Sequence, residues 1–282
     1  MTTRVYDVEF ITPAFLSGAN QNRAELRAPS IRGQLRWWYR VLGGNYESES
    51  AVFGGVKGTA RASKIILRIT SINARHEDLP HMPPMSDLGY IYYFAKASGN
   101  KEGVRRTQRD AFFAPETKFR VEVLERSPLA SGERETLDMA LKATWRLGAL
   151  GLRATRGCGA LTESNAIMAY SDFIDWVKVL PDSVFVGQIT TGRFFDKWLD
   201  CHAALGGFLK NFRKDNKLPG HAESALGFSA GSRKRAASAL IIRPVKLKEG
   251  YLPLLIYTDA ATTQPSIIEK LKKYRVYHHA LT

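Results

Sequence analysis

The chain has 282 residues, 44% hydrophobic and 11% aromatic, so it can bury a sizeable core and is not a disordered tail. Lys and Arg outnumber Asp and Glu by 41 to 27, giving a formal net charge of +14. The excess is +8 in residues 1–160 (24 against 16) and +6 in 161–282 (17 against 11), which places the charge on the body of the protein and points to a polyanion as partner, nucleic acid before anionic membrane.

Val5 to Ile11, rich in β-branched and aromatic residues, reads as a first strand that Thr12-Pro13 breaks. A polar loop over 17–22 leads to Arg27-Ala-Pro-Ser-Ile-Arg-Gly-Gln-Leu-Arg-Trp-Trp-Tyr-Arg-Val-Leu-Gly-Gly. Pro29 ends what precedes it, Ser30 offers an N-cap, and Gly43-Gly44 stops the helix. Ile31, Leu35, Trp38 and Leu42 recur at helical spacing and form an apolar stripe. Arg32, Arg36 and Arg40 form a second stripe turned away from it, and Trp37 falls on neither. An arginine row is commonly a solvated or ion-paired face. Glu25 is the only acidic residue between Glu9 and Glu47, however, so local partners are scarce. The other reading is a set of groups suited to phosphates and unstacked bases.

The glycine-dense stretch 53–59 lacks the Walker spacing. It is either a connector or a basic loop whose Lys57 and Arg61 touch a phosphate backbone. Lys64 to Ile72 reads as a strand, 75–87 as a proline-punctuated loop, 88–97 as a short strand or helix, and 98–110 as a basic excursion. Lys118 to Glu125 alternates strictly and is a strand. A helix follows from Glu133 to about Leu150, burying Leu137, Leu141, Trp145 and Gly148. It runs into Gly-Ala-Leu-Gly-Leu-Arg-Ala-Thr-Arg-Gly-Cys-Gly, residues 148–159, where Arg153 and Arg156 stand among glycines. That loop is either a plain turn or an anion-binding nest. With Ala160 to Tyr170 as a further strand, the order is that of a βαββαβ ferredoxin-like unit.

The expected architecture is therefore α+β, with two tandem ferredoxin-like (RRM-like) domains. The first spans 1–165 with an insertion over 72–116, and the second, degenerate, spans 166–282. In the second half, 171–179 and 194–213 read as helices, 229–235 as a basic glycine-containing loop, 239–247 and 252–258 as strands, and 265–275 as a basic helix.

The blocks Ser30-Ile-Arg-Gly-Gln-Leu-Arg-Trp-Trp, Val52-Phe53-Gly54, Arg153-Ala-Thr-Arg-Gly-Cys-Gly and Arg235-Ala-Ala-Ser-Ala-Leu resemble the RAMP superfamily of CRISPR proteins. Within it they look most like the first Cmr subunit of type III-B effector complexes. One departure is Ala239, where RAMP chains commonly carry proline. The resemblance implies a non-catalytic, RNA-binding subunit of a Cmr ribonucleoprotein in antiviral defence, with guide RNA, target RNA and other Cmr subunits as partners. Carried over residue by residue, it implies an RNA-facing set of Ser30, Arg32, Arg36, Trp37 and Arg40, then Arg153, Arg156, Gly157 and Gly159, and finally Arg233, Lys234 and Arg235.

The alternative from the same family is a metal-independent endoribonuclease that processes CRISPR RNA. It needs a histidine near the ribose hydroxyl, and the candidates are His76, His81, His202, His221, His278 and His279. None lies inside an arginine- and glycine-rich motif, and no carboxylate pair has metal-site spacing. A third reading is a generic basic protein whose charge only aids assembly with acidic subunits. Cys158 and Cys201, the only cysteines, suit neither a disulfide framework nor a zinc site. No apolar run approaches the ~18 residues of a spanning helix, and the N-terminus carries charges where a signal peptide is apolar. The expectation is a cytoplasmic protein without metal, cofactor or membrane partner.

Overall fold

A computed structural model describes residues 2–20, 23–56, 60–75, 87–92, 112–189, 193–215, 238–258 and 271, and as backbone only 98–100, 103–105, 228–229 and 235–236. In chain order the elements are β1 (Thr3–Phe10), α1 (Ala28–Val41), α2 (Tyr46–Phe53), β2 (Ile65–Asn73), α3 (Asp87–Tyr92), β3 (Ser98–Asn100), β4 (Gly103–Arg105), β5 (Lys118–Glu125), α4 (Ser131–Leu147), β6 (Leu161–Glu163), α5 (Tyr170–Lys178), β7 (Val184–Gln188), α6 (Trp198–Asp215), β8 (Phe228–Ser229), β9 (Arg235–Ala236), β10 (Leu240–Leu247) and β11 (Gly250–Thr258). The result is a mixed α/β protein whose two main sheets are antiparallel.

The first sheet has the order β2-β5-β1-β6. Strand alternation turns Arg4, Tyr6, Val8 and Phe10 to one face, where α4 receives them: Tyr6 packs on Trp145 at 5.5 Å and Arg4 pairs with Asp138. On α1, Ile31, Leu35, Trp38, Tyr39 and Val41 join the same buried cluster.

The second sheet has the order β10-β11-β7 and is buried on both faces. Val184, Val186, Val245, Leu252, Leu254 and Ile256 extend the cluster begun by the first sheet. The alternate residues Phe185, Leu240, Ile242, Leu255 and Tyr257 pack against Leu205, Leu209 and Phe212 of α6. A strand covered on both sides shows no polar alternation. For that reason β7 carried no periodic signal in the sequence.

Several expected boundaries move. The expected strand over 160–170 is confined to Leu161–Glu163, because Ser164 turns the chain by bonding the carbonyl of Asp7 and Tyr170 already opens α5. The helix expected to reach about Leu150 ends at Leu147, where Gly148 is extended (φ −84, ψ 160). Ser30 is not the cap of α1: Arg27 holds that position, without a side-chain bond, and Ser30 lies within the first turn. Residues 88–92 of the ambiguous 88–97 stretch are helical, in α3. The basic helix expected over 265–275 falls outside the described residues except for Leu271.

Candidate nucleic-acid interface

The arginine stripe of α1 meets α2, which starts just after the Leu42–Asn45 turn. Asn45 caps α2 by accepting from the Ser48 amide at 2.8 Å, and Glu47 and Glu49 occupy its first turn, where carboxylates favour a helix start. Glu49 is buried, at 3% exposure, and its Oε1 accepts from Nε of Arg36 at 2.6 Å and from Nη1 of Arg40 at 2.7 Å. Arg32 donates to the carbonyl of Phe53, the last residue of α2. Burial, and next the neighbouring Arg36 charge, lower the Arg32 pKa. The Phe53 ring has the Arg32 and Arg36 guanidinium carbons 6.0 Å from its centroid and Tyr39 edge-on at 5.4 Å.

The carboxylate that is scarce along the α1 segment itself is thus supplied by α2. Arg36 and Arg40 still keep 34% and 48% exposure. Gly55 pairs through its backbone with Arg61 in both directions, at 3.2 and 2.9 Å, which seats exposed Arg61 just beyond α2. Trp37 is half-buried, edge-to-face on Trp38 at 4.8 Å. The tryptophan of the family-like block that enters the core is Trp38. Lys57, Arg233 and Lys234 lie outside the described residues, and Arg235 enters only as backbone, in β9.

The glycine-rich loop joins α1 through Gln34, whose amide, turned to face its partners, donates to Ala149 at 2.9 Å and accepts from Trp38 at 3.3 Å. Arg153 is left-handed (φ 64) and donates to the carbonyl of Ile91 at 3.3 Å. Arg156 is buried, and its Nη1 donates to Ser238 at 3.1 Å and to the carbonyl of Leu240 at 3.2 Å. The glycines do admit a close approach, but what approaches is the chain itself. A Cβ on Gly157 (φ +80) would lie 2.9 Å from the Ile242 carbonyl, and one on Gly159 (φ +67) would lie 2.0 Å from that of Leu150. Thr12 accepts from the Ala160 amide at 2.9 Å and donates to the Gly157 carbonyl at 2.6 Å. The described geometry makes this loop a joint between the two sheets.

Two residues complete the joint: Arg243, which sequence reasoning missed, and His202, which it named only as a candidate catalytic histidine. Arg243 is fully buried and donates to the carbonyls of Gly148, Leu161 and Pro244. Desolvation pushes its pKa down to about 9. His202 is also fully buried; its Nε2 donates to the Arg156 carbonyl at 2.7 Å, so its Nδ1 accepts from the Tyr92 hydroxyl at 3.0 Å. Burial holds its pKa down at about 4. An imidazole spent on two internal partners has no lone pair for a ribose hydroxyl. The other five histidines lie outside the described residues. Among the described residues no cluster of His, Cys, Asp or Glu could hold a metal ion, and no helix is long and apolar enough to cross a membrane.

The fold and these motifs define a family. The model of the RAMP superfamily matches residues 7–162, more than half of the chain, and the chain belongs to that superfamily. The chain is 28% identical to the CRISPR system Cmr subunit Cmr1-1 of Pyrococcus furiosus over 231 residues, which are 77% of this chain and 62% of that protein. It is 27% identical to Cmr1-2 of the same organism over 183 residues, 57% of this chain and 95% of that one. This chain therefore spans less than two thirds of the length of the Cmr1-1 relative. Among solved structures, apo Cmr1 of Pyrococcus furiosus aligns with a TM-score of 0.61 at 20% identity, covering 94% of this chain and 90% of that one. A chain of a type III-B Cmr-β complex bound to cognate target RNA aligns at 0.53 and 13% identity, covering 96% and 98%. At these identities the structural likeness speaks to the fold.

Proposed function

We propose that the chain is a non-catalytic, RNA-binding subunit of a type III-B (Cmr) CRISPR ribonucleoprotein that contacts guide or target RNA and neighbouring Cmr subunits. One observation carries this reading: two arginines of one helix share a single buried carboxylate, and a third lies beside them on the carbonyl that ends α2, in a RAMP chain of net charge +14. The cluster keeps a positive balance and part of its surface, as a site for successive phosphates requires. The likeness to two Cmr1 proteins supports the place in a Cmr assembly. The order of the first sheet, with α1 and α4 on one face, supports a ferredoxin-like unit over 1–165 with an insertion at 72–116; residues 166–282 form the second, degenerate unit in this reading.

The RNA-facing residues in this proposal are Arg32, Arg36, Trp37 and Arg40, together with Ser30, Lys57 and Arg61. Arg153, at the outer turn of the joint, belongs to the proposed RNA-binding set, as do Arg233, Lys234 and Arg235. Arg156, Gly157 and Gly159 act one step removed, by fixing the loop that carries Arg153. The test is fluorescence anisotropy of the purified chain with labelled single-stranded RNA across a salt series, with an EDTA-treated cleavage assay on repeat RNA run beside it. Tight, salt-dependent binding with intact RNA is expected. Specific cutting abolished by His81→Ala or His221→Ala would establish the nuclease instead.

A further inference from the structure

We infer that Glu49 is the positioning residue of the α1 cluster: its buried carboxylate sets the guanidinium groups of Arg36 and Arg40 in the orientation that receives the phosphates of a single-stranded RNA. This rests on the RNA-binding reading above and adds to it an acidic residue, the wrong sign for direct contact.

Three observations carry the inference. First, both arginines reach the same oxygen, Oε1, at 2.6 and 2.7 Å. A pair that served stability alone would need one cation; here two positive charges share one negative, and Arg32 adds a third positive charge without a carboxylate of its own. Second, Arg36 bonds through Nε, so neither of its terminal amines is used in that bond, and Arg40 bonds through one amine of its fork. The remaining donors belong to side chains that stay 34% and 48% exposed while Glu49 itself is 3% exposed. Third, Glu49 is held on its own account. The Asn45 cap fixes the first turn of α2, the Glu49 amide bonds the Asn45 carbonyl at 2.9 Å, and Phe53 anchors the far end against Tyr39. An anchored carboxylate on a short rigid helix restrains two long side chains before any ligand arrives. That removes part of the ordering cost of binding.

The substitution Glu49→Gln makes a test of sign. It keeps the shape of the side chain and raises the net charge of the chain by one. If charge alone governed affinity, the variant would bind RNA more tightly. Positioning requires the opposite: weaker binding to a fluorescein-labelled oligouridylate, by roughly threefold to tenfold, because the guanidinium groups lose their charge-assisted anchor. Glu49→Asp, which keeps the charge but withdraws it by one methylene, is expected to fall between. The Arg36 Nε–H resonance in nitrogen-15 NMR, slow to exchange with water in the wild type, should broaden in Glu49→Gln with or without RNA. Should Glu49→Gln fail to fold by circular dichroism, Glu49→Asp gives the same reading, and equal or tighter binding by it sinks the inference. Wild-type binding together with equal or tighter binding by folded Glu49→Gln overturns the role of Glu49 alone. A wild type that binds no RNA overturns the proposed function and the role of Glu49 with it.

Discussion

Gly157 lies so close to His202 that a Cβ added to it would stand 2.8 Å from the imidazole Nε2. The nitrogen cannot yield, because it is bonded to the carbonyl of Arg156, the residue before the glycine. On the other side the same Cβ would meet the Ile242 carbonyl at 2.9 Å. Gly157→Ala combines that overlap with a positive φ of 80, and is expected to destabilise the protein by about 2–4 kcal/mol in denaturant unfolding. Gly33, with nothing within 4 Å and a helical position in α1, is the control, and Gly33→Ala should stabilise by up to about 1 kcal/mol.

His202 makes stability depend on pH. Its folded pKa of about 4 lies below the usual 6.5, so between those values the unfolded chain takes up a proton that the folded chain refuses. Stability is full above pH 6.5 and is lost as pH falls toward 4, by about 3 kcal/mol from this group. Urea midpoints measured from pH 7 down to 4 should show the decline. His202→Gln, which can still offer an amide to the Arg156 carbonyl, should flatten it.

Cys158 and Cys201 are both buried, and burial raises the Cys158 thiol to about 12. Neither forms the thiolate that a disulfide reagent needs. Incubated at pH 8 with Ellman's reagent, the native protein should release no colour within the time in which guanidinium-unfolded protein reports both thiols.

The two arginines that look alike in the sequence should behave oppositely. Arg36→Ala removes a partly exposed guanidinium and is expected to weaken single-stranded RNA binding by about 1–2 kcal/mol and to lower the salt slope by about one. Arg156→Ala empties a buried position and removes the donor shared by Ser238 and the Leu240 carbonyl. It should cost roughly 2–4 kcal/mol of stability. Anisotropy titrations and thermal melts of both variants separate the two effects.

Arg243→Met takes the buried cation out of the joint, removing its bond to the Leu161 carbonyl and leaving the Gly148 carbonyl with the Leu161 amide alone. The expected loss is about 3–5 kcal/mol in chemical unfolding, well above what an exposed arginine would give.

The local elements were legible because their side chains repeat with a period. The stripe of Ile31, Leu35 and Trp38 marked α1, and the alternation of Phe119, Val121 and Val123 marked β5. The stretch Tyr46–Phe53 shows no clear apolar stripe because half its face is polar, although Asn45 followed by Glu47 and Glu49 is a helix-start signature. Without α2 the arginine stripe had no visible counter-ion, so the one residue that organises it was invisible too. The glycines of 157 and 159 advertised a close approach, and a sequence does not say whether a ligand or the chain's own strand fills the space. The pairing of Arg243 with Gly148 and Leu161, across roughly a third of the chain, leaves no local trace at all.

The interlocking of strand β10 with the first sheet has a practical corollary. Arg243 and Lys246, which reaches Glu9 at 2.8 Å, plug into the amino-terminal half as a key enters a lock. A backbone severed in the solvent-facing bend near Asn165 would leave two fragments, each with half of a continuous apolar seam and the polar partners of the other. Co-expressed, such fragments should recombine into one particle, which makes this bend a natural cut point for a split reporter of assembly.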